Sequence, residues 1–173
     1  MPAQASFRIA LAILLIASGS IISACVFEAL GYAPCELCLK ERIPYYAGIP
    51  LSGLALFLAA RDQRRLLLAA FAGLAFVFTA SAGFGAYHAG VEWGFWPGPT
   101  DCTSPLDHVR SVEDFLTALQ RVKVVRCDAV AIRILGLSLA GWNVVVSAGL
   151  ASLALIGAWA ARQWRAALRR SPC

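Results

Sequence analysis

Cys35 and Cys38 stand two residues apart in the stretch CELCLKER, and Arg42 follows Cys38 by four positions. A C-x-x-C pair supports three chemistries: thiol–disulfide exchange, half of a metal site, or a structural disulfide. As a staple it closes almost no chain, so it adds little stability. Two more cysteines, Cys102 and Cys127, lie 25 positions apart. That separation suits a four-cysteine zinc site poorly, so no metal site is expected. Redox exchange is the strongest use of the pair. The reactive form of cysteine is the thiolate, which nearby positive charge or a helix N-terminus favours. If a helix has begun by Cys38, Arg42 shares its face one turn on and can stabilise a Cys38 thiolate or an anionic acceptor touching it. The plainer role for Arg42 is a snorkelling anchor. Pro44 leaves two options: a first-turn proline of a helix starting after Arg42, or a kink in one that starts earlier. Glu41 either sets the local charge or is solvated.

The elements that hold these residues are apolar. Of 173 residues, 60% are hydrophobic and 14% charged, more apolar side chain than a soluble domain of this length hides, since about half of ordinary composition is apolar. Mean hydropathy is +0.70. Four stretches, about 9–27, 43–60, 66–89 and 137–161, are near the roughly 20 residues that cross a bilayer as helix, and none has a charge in its middle. Lipid requires every backbone polar group to be paired within such a segment, which predicts helices. The expected fold is an all-α integral membrane four-helix bundle, one domain over 1–173, with loops at about 28–42 and 90–136. In the second loop, SVEDFLTALQRV has Ser111 as an N-cap candidate, Asp114 three residues on, and Val112, Phe115, Leu116, Leu119 and Val122 at helical spacing. It predicts a short amphipathic helix, lying on the bilayer or packed on the bundle top.

Charge sets the direction. Arg8, the RDQRR connection and the C-terminal tail hold eight basic residues against one acid, Asp62, while the other two loops hold seven against nine acids. The excess of Arg and Lys near span ends marks the cytoplasmic side. Both termini are therefore expected in the cytoplasm, and Cys35, Cys38, Cys102 and Cys127 all fall in outward loops. Disulfides persist in the oxidising compartment outside a bacterial inner membrane. Two pairs in two loops suggest Cys35–Cys38 and Cys102–Cys127, though four cysteines allow three connectivities. Tyr32, Tyr45, Tyr46, Tyr87, Trp93, Trp96 and Trp142 gather at outer span ends, and Trp159 and Trp164 at an inner one, as interfacial anchors do. Ile22-Ser23-Ala24-Cys25 looks like a lipoprotein cleavage box, but the apolar run before it is too long and carries only one Arg, so an uncleaved first span is expected. The glycines of GFGAYHAG are expected to allow close helix packing. The net charge of +5 follows from topology and gives no case for nucleic-acid binding.

C-x-x-C-x-x-x-R at the outer start of the second of four spans, with a cysteine pair in the second outer loop, resembles the disulfide bond formation protein B (DsbB) family. YHAGVEWGFWPGPTDC and RCDAVAIRILGLSLAGWN are also similar to family members, and the resemblance runs from the first span to the last. It implies a dithiol:quinone oxidoreductase of the bacterial inner membrane. Such a protein reoxidises a DsbA-like periplasmic thioredoxin-fold oxidase and passes two electrons to ubiquinone or menaquinone, and so indirectly to the respiratory chain. By that resemblance the reduced partner attacks Cys102, Cys127 then attacks Cys35, and Cys38 is freed as a thiolate beside the quinone. Arg42 and His88 correspond to quinone-binding residues. The energetics agree: the soluble oxidase has a potential of about −120 mV, so its reoxidation needs a stronger sink. No flavin or haem motif offers one, and a lipid-soluble quinone would arrive where the cysteines sit. The resemblance assigns nothing to Cys25 or Cys173. Two other readings predict different behaviour. A four-span adaptor would hold inert structural disulfides, and an oxidoreductase of the vitamin K epoxide reductase type carries its dithiol elsewhere in the helix order.

Overall fold

The computed structural model describes residues 2–98, 127–128, 130 and 132–169. Four helices carry the fold: α1 Pro2–Ala29, α2 Glu36–Ala60, α3 Arg64–Glu92 and α4 Leu139–Arg169. Each contains a stretch long and apolar enough to cross a membrane. The chain is an all-helical membrane bundle of four spans. The expected amphipathic helix around Ser111–Val122 lies outside the described residues.

Small residues line much of the helix contacts around a few large core side chains such as Phe71 and Phe78, while many other large apolar side chains face outward. Ala10, Ala17, Ala55, Ala154 and Ala161 are buried, whereas Leu15, Phe76, Leu155 and Trp159 are exposed. Lipid is as apolar as leucine, so helices associate by close packing and interhelical hydrogen bonds, both of which favour small side chains. Gly48 on α2 admits the Phe78 ring of α3, and Gly157 on α4 admits Phe71: a Cβ at either would lie 2.6 or 2.5 Å from the ring. In GFGAYHAG the expectation holds for Gly85, where a Cβ would meet Asn143 of α4 at 2.9 Å, and fails for Gly83, which faces open space. Tyr45, Asn143, Ser147 and Ser81 form a polar link across the bundle. The Tyr45 hydroxyl donates to Asn143 Oδ1 at 2.8 Å and bonds Ser147 Oγ at 2.9 Å, and Ser81 bonds Ser147 at 3.0 Å. Tyr45 is thus a buried link between α2 and α4, not an interfacial anchor.

Two span boundaries differ from the sequence reading, and both matter for the site. Expected to begin near Ile43, α2 begins at Glu36, two turns earlier, with Pro44 and Pro50 inside it. A transmembrane helix tolerates interior proline because neighbouring groups re-satisfy the freed carbonyls. Leu137 was expected in the fourth span. Instead Leu137–Ser138 is strand β2, antiparallel to β1 Arg133–Ile134, and α4 starts at Leu139. The turn between the strands places Leu135 and Gly136 at φ 52° and 85°. Positive φ at both central residues is what a two-residue hairpin of this hand requires. Ser138 Oγ accepts from Gly141 N–H at 3.1 Å, and Trp142 Nε1 donates to Ile134 O at 2.9 Å, which fastens the hairpin to the first turn of α4.

The end of α1, the start of α2, the end of α3 and the start of α4 meet at one end of the bundle. At the other end Arg64 donates from Nε to Ala161 O at 2.6 Å and from Nη2 to Arg162 O at 2.9 Å, tying the start of α3 to the far turns of α4.

Candidate functional site

Cys35 is the residue immediately before α2. Its extended backbone (φ −79°, ψ 171°) turns the side chain back over the helix start, where Sγ accepts the Cys38 N–H at 3.1 Å. The first turns of a helix have amide donors without intrahelical partners and carry partial positive charge. Both features favour a thiolate at Cys35. Starting α2 at Glu36 is what puts the C-x-x-C on a helix N-terminus.

Across from it, His88 on α3 points Nε2 at Cys35 Sγ, 3.7 Å away, and Nδ1 at Glu41 Oε1, 2.8 Å away. His88 and Glu41 are 2% and 9% exposed, so this Cys–His–Glu line is sheltered from water. A carboxylate only accepts, so Nδ1 carries a proton and the imidazole is fixed in rotation. The hydrogen bond from Cys38 lowers the Cys35 pKa most. Burial opposes this by raising it, and the contact with His88 lowers it further. The net result is a Cys35 thiol held at about 4, far below the ordinary thiol range.

Cys35, Leu37, Val91 and Cys127 form a small buried cluster at this end, and Cys38 and Phe84 pack against it. Cys35 and Cys38 carry free thiols, so the expected bond between them is not formed here, while Cys127 is disulfide-bonded. Being bonded, Cys127 offers no thiolate to a four-cysteine metal site. Cys102 lies outside the described residues, as does Cys173. Cys25 is a free thiol exposed on α1.

A cavity of about 220 Å³ opens beside the cysteines, walled by the last turns of α1, the first turns of α2 and α4, and His88 of α3. Cys35, Cys38, Arg42, His88 and Cys127 all line it. Arg42 donates from Nη1 to Glu28 Oε2 at 2.9 Å, which ties α2 to the end of α1 and holds the guanidinium at the cavity wall. Two polar atoms of cavity residues are buried with no hydrogen-bond partner among the described residues: Asn143 Nδ2, a donor, and Glu92 Oε2, an acceptor. Buried polar groups are nearly always paired, so such orphans mark places where a ligand or water belongs.

Five of the six sequence-predicted site residues, Cys35, Cys38, Arg42, His88 and Cys127, thus share one cavity, and the sixth, Cys102, lies outside the described residues. Glu41 was missed as a site residue. The sequence did carry a signal for it: Leu37, Glu41, Tyr45, Gly48, Ser52 and Ala55 are the buried stripe of α2. An acid in phase with that stripe cannot reach solvent and must have a partner.

A dithiol on a helix N-terminus, packed on a disulfide-bonded third cysteine and opening on an apolar cavity within a four-span bundle, defines a membrane thiol–disulfide protein. Comparison with known families agrees. The family model "Disulfide bond formation protein DsbB" matches residues 6–157, and the chain belongs to that family. It is a multi-pass membrane protein of disulfide-bond formation, a disulfide oxidoreductase by family. The chain is also similar to "Uncharacterized protein RP370" of Rickettsia prowazekii (strain Madrid E), 27% identical over 118 residues, which are 67% of this chain and 66% of that protein. No solved structure matches the chain.

Proposed function

We propose that the protein is a quinone-dependent thiol oxidase. It reoxidises a soluble DsbA-like thioredoxin-fold dithiol partner in the periplasm, with both of its own termini in the cytoplasm. The observation that carries this reading is that Cys35, Cys38 and disulfide-bonded Cys127 share the wall of one cavity bounded by all four helices. A cavity of about 150 Å³ is known to accommodate benzene, so one of about 220 Å³ takes a substituted six-membered ring. Arg42 and the orphaned Asn143 Nδ2 supply donors for carbonyl oxygens on such a ring. A quinone held there would accept two electrons and two protons.

Each residue has a role in this route. A thiolate of the partner attacks Cys102, opening its bond to Cys127 and freeing Cys127. Cys127 attacks Cys35, which breaks the Cys35–Cys38 bond and leaves the electron pair on Cys38 at the cavity wall. The partner's second thiolate then attacks its sulfur bonded to Cys102, which closes the partner's disulfide and frees Cys102. Cys102 attacks Cys127, Cys35 is the leaving sulfur, and Cys35 rejoins Cys38 as the electron pair passes to the acceptor. A low pKa makes a thiol leave faster, and the helix start with His88 supplies it. In sum, one partner dithiol becomes a disulfide and two electrons with two protons pass to the acceptor.

The decisive experiment adds ubiquinone to the reduced, purified protein. The expected result is stoichiometric loss of thiols and a long-wavelength absorption band from a thiolate touching the quinone ring. Thiols that stay reduced, with no band, would leave only an adaptor with structural disulfides. Replacing any of Cys35, Cys38, Cys102 or Cys127 with Ala should stop catalysed oxidation of a reduced partner. Normal turnover by Cys102→Ala would show the relay order to be wrong.

A further inference from the structure

Disulfide exchange needs sulfurs, yet three donor atoms converge here: Cys35 Sγ, Cys38 Sγ and His88 Nε2 all lie within 4.8 Å of one another. Their spacing is close to that of a tetrahedral metal site. With Zn–S of about 2.3 Å and Zn–N of about 2.05 Å, a tetrahedral angle sets the S···N edge at about 3.6 Å. Cys35 Sγ and His88 Nε2 are 3.7 Å apart. The outer layer is in place too. Glu41 Oε1 lies 2.8 Å from Nδ1, which leaves Nε2 as the nitrogen aimed at the sulfurs. Metal-bound histidines are almost always held this way, by a carboxylate or carbonyl on the second nitrogen. A separate observation also points to a cation: Glu92 Oε2, in the same cavity, is a buried acceptor with no hydrogen-bond donor among the described residues.

We propose that, in its dithiol state, the protein binds one thiophilic divalent cation of the Zn²⁺ type through Cys35, Cys38 and His88, with Glu41 orienting the imidazole and the fourth position open to the cavity. Binding displaces the proton shared by Cys35 Sγ and His88 Nε2, together with the thiol proton of Cys38, and moves no electrons. Two thiolates neutralise the cation, which suits an apolar surrounding. Bound sulfurs cannot join to each other, so the metal holds the dithiol reduced and acts as a brake on its oxidation. The site requires only the dithiol and stands whether or not a quinone is the acceptor.

The test uses the full chain in detergent with Cys25→Ser, Cys102→Ala, Cys127→Ala and Cys173→Ser, so that only Cys35 and Cys38 remain. The reduced protein is titrated anaerobically with Co²⁺ and then Zn²⁺. One equivalent of Co²⁺ should give the intense visible bands of tetrahedral cobalt and a sulfur-to-cobalt charge-transfer band, both erased by one equivalent of Zn²⁺. The oxidised protein should give neither. Glu41→Gln should weaken Zn²⁺ about 10- to 100-fold, as loss of an outer-shell partner does. Absence of the charge-transfer band in the reduced protein overturns the proposal, as does a spectrum that His88→Ala leaves unchanged. The unsubstituted chain supplies a check free of any folding defect: Zn²⁺ should slow maleimide labelling of Cys35 and Cys38 at least tenfold, and equal labelling with and without Zn²⁺ also overturns it.

Discussion

The imidazole of His88 has a sulfur on one side and a carboxylate on the other, and this line shapes the reactivity of Cys35. Thiolate is the alkylated species, so an ordinary thiol reacts about tenfold faster per pH unit up to its pKa of about 8.5. With a pKa held at about 4, Cys35 is already thiolate across the neutral range. Its alkylation by iodoacetamide, followed by mass spectrometry of the reduced protein, should be flat from about pH 5 to 8 and fall only as pH drops through about 4. The absolute rate should not be exceptional, because nucleophilicity falls with pKa. Glu41→Ala leaves the His88 Nδ1–H buried without an acceptor, a loss of about 1–3 kcal/mol. It should lower the thermal midpoint in detergent and move the Cys35 profile upward, whereas Glu41→Gln, which keeps an acceptor, should recover most of the stability. Arg42→His should weaken quinone use in steady-state kinetics while both disulfides still form. Unchanged quinone kinetics would confine Arg42 to its bond with Glu28.

At the scale of elements, α2 is both the least legible helix and the most consequential. Hydropathy found all four spans because lipid imposes one strong requirement, a run of apolar residues. Hydropathy could not find the first two turns of α2, because Glu36, Lys40, Glu41 and Arg42 are charged and Pro44 resembles a helix start. Packing decides that boundary. Cys35 caps the turn, Lys40 pairs with Glu36 at 3.4 Å, Glu41 is buried on His88, and Arg42 reaches Glu28. His88 could be placed at a span end from sequence, but its partner could not, since the two are 47 positions apart. The short hairpin before α4 was hidden because two-residue strands carry no periodicity. Close packing between helices makes its own prediction. Gly48→Ala would put a Cβ 2.6 Å from a Phe78 ring that is fully buried and stacked edge-on against Tyr45. Such overpacking costs about 1–3 kcal/mol, so the unfolding midpoint in detergent should fall. Gly83→Ala, in open space, should leave it unchanged.

For the whole molecule, the governing fact is polarity between the two ends of the bundle. The dithiol, its cavity and Cys127 occupy one end, while Arg61, Arg64 and Arg65 crowd the short connection at the other. The arginine-rich end is expected to face the cytoplasm. A membrane-impermeant maleimide applied to intact spheroplasts should therefore label the reduced Cys38, and should label a cysteine introduced by Asp62→Cys only after lysis. Labelling of Cys38 only after lysis would separate the cysteines from the oxidising compartment that the proposed function requires.

The cap on α2 has one more consequence. The sulfur that exchanges partners during turnover is also the acceptor that closes the helix start, through the Cys38 amide. A thiolate accepts that proton strongly and a disulfide sulfur weakly, so oxidation loosens the first turn and reduction tightens it. The backbone amide of Cys38 should then exchange its hydrogen for deuterium faster in the oxidised protein. One peptide N–H would report, without any added dye, how many electrons the molecule is holding.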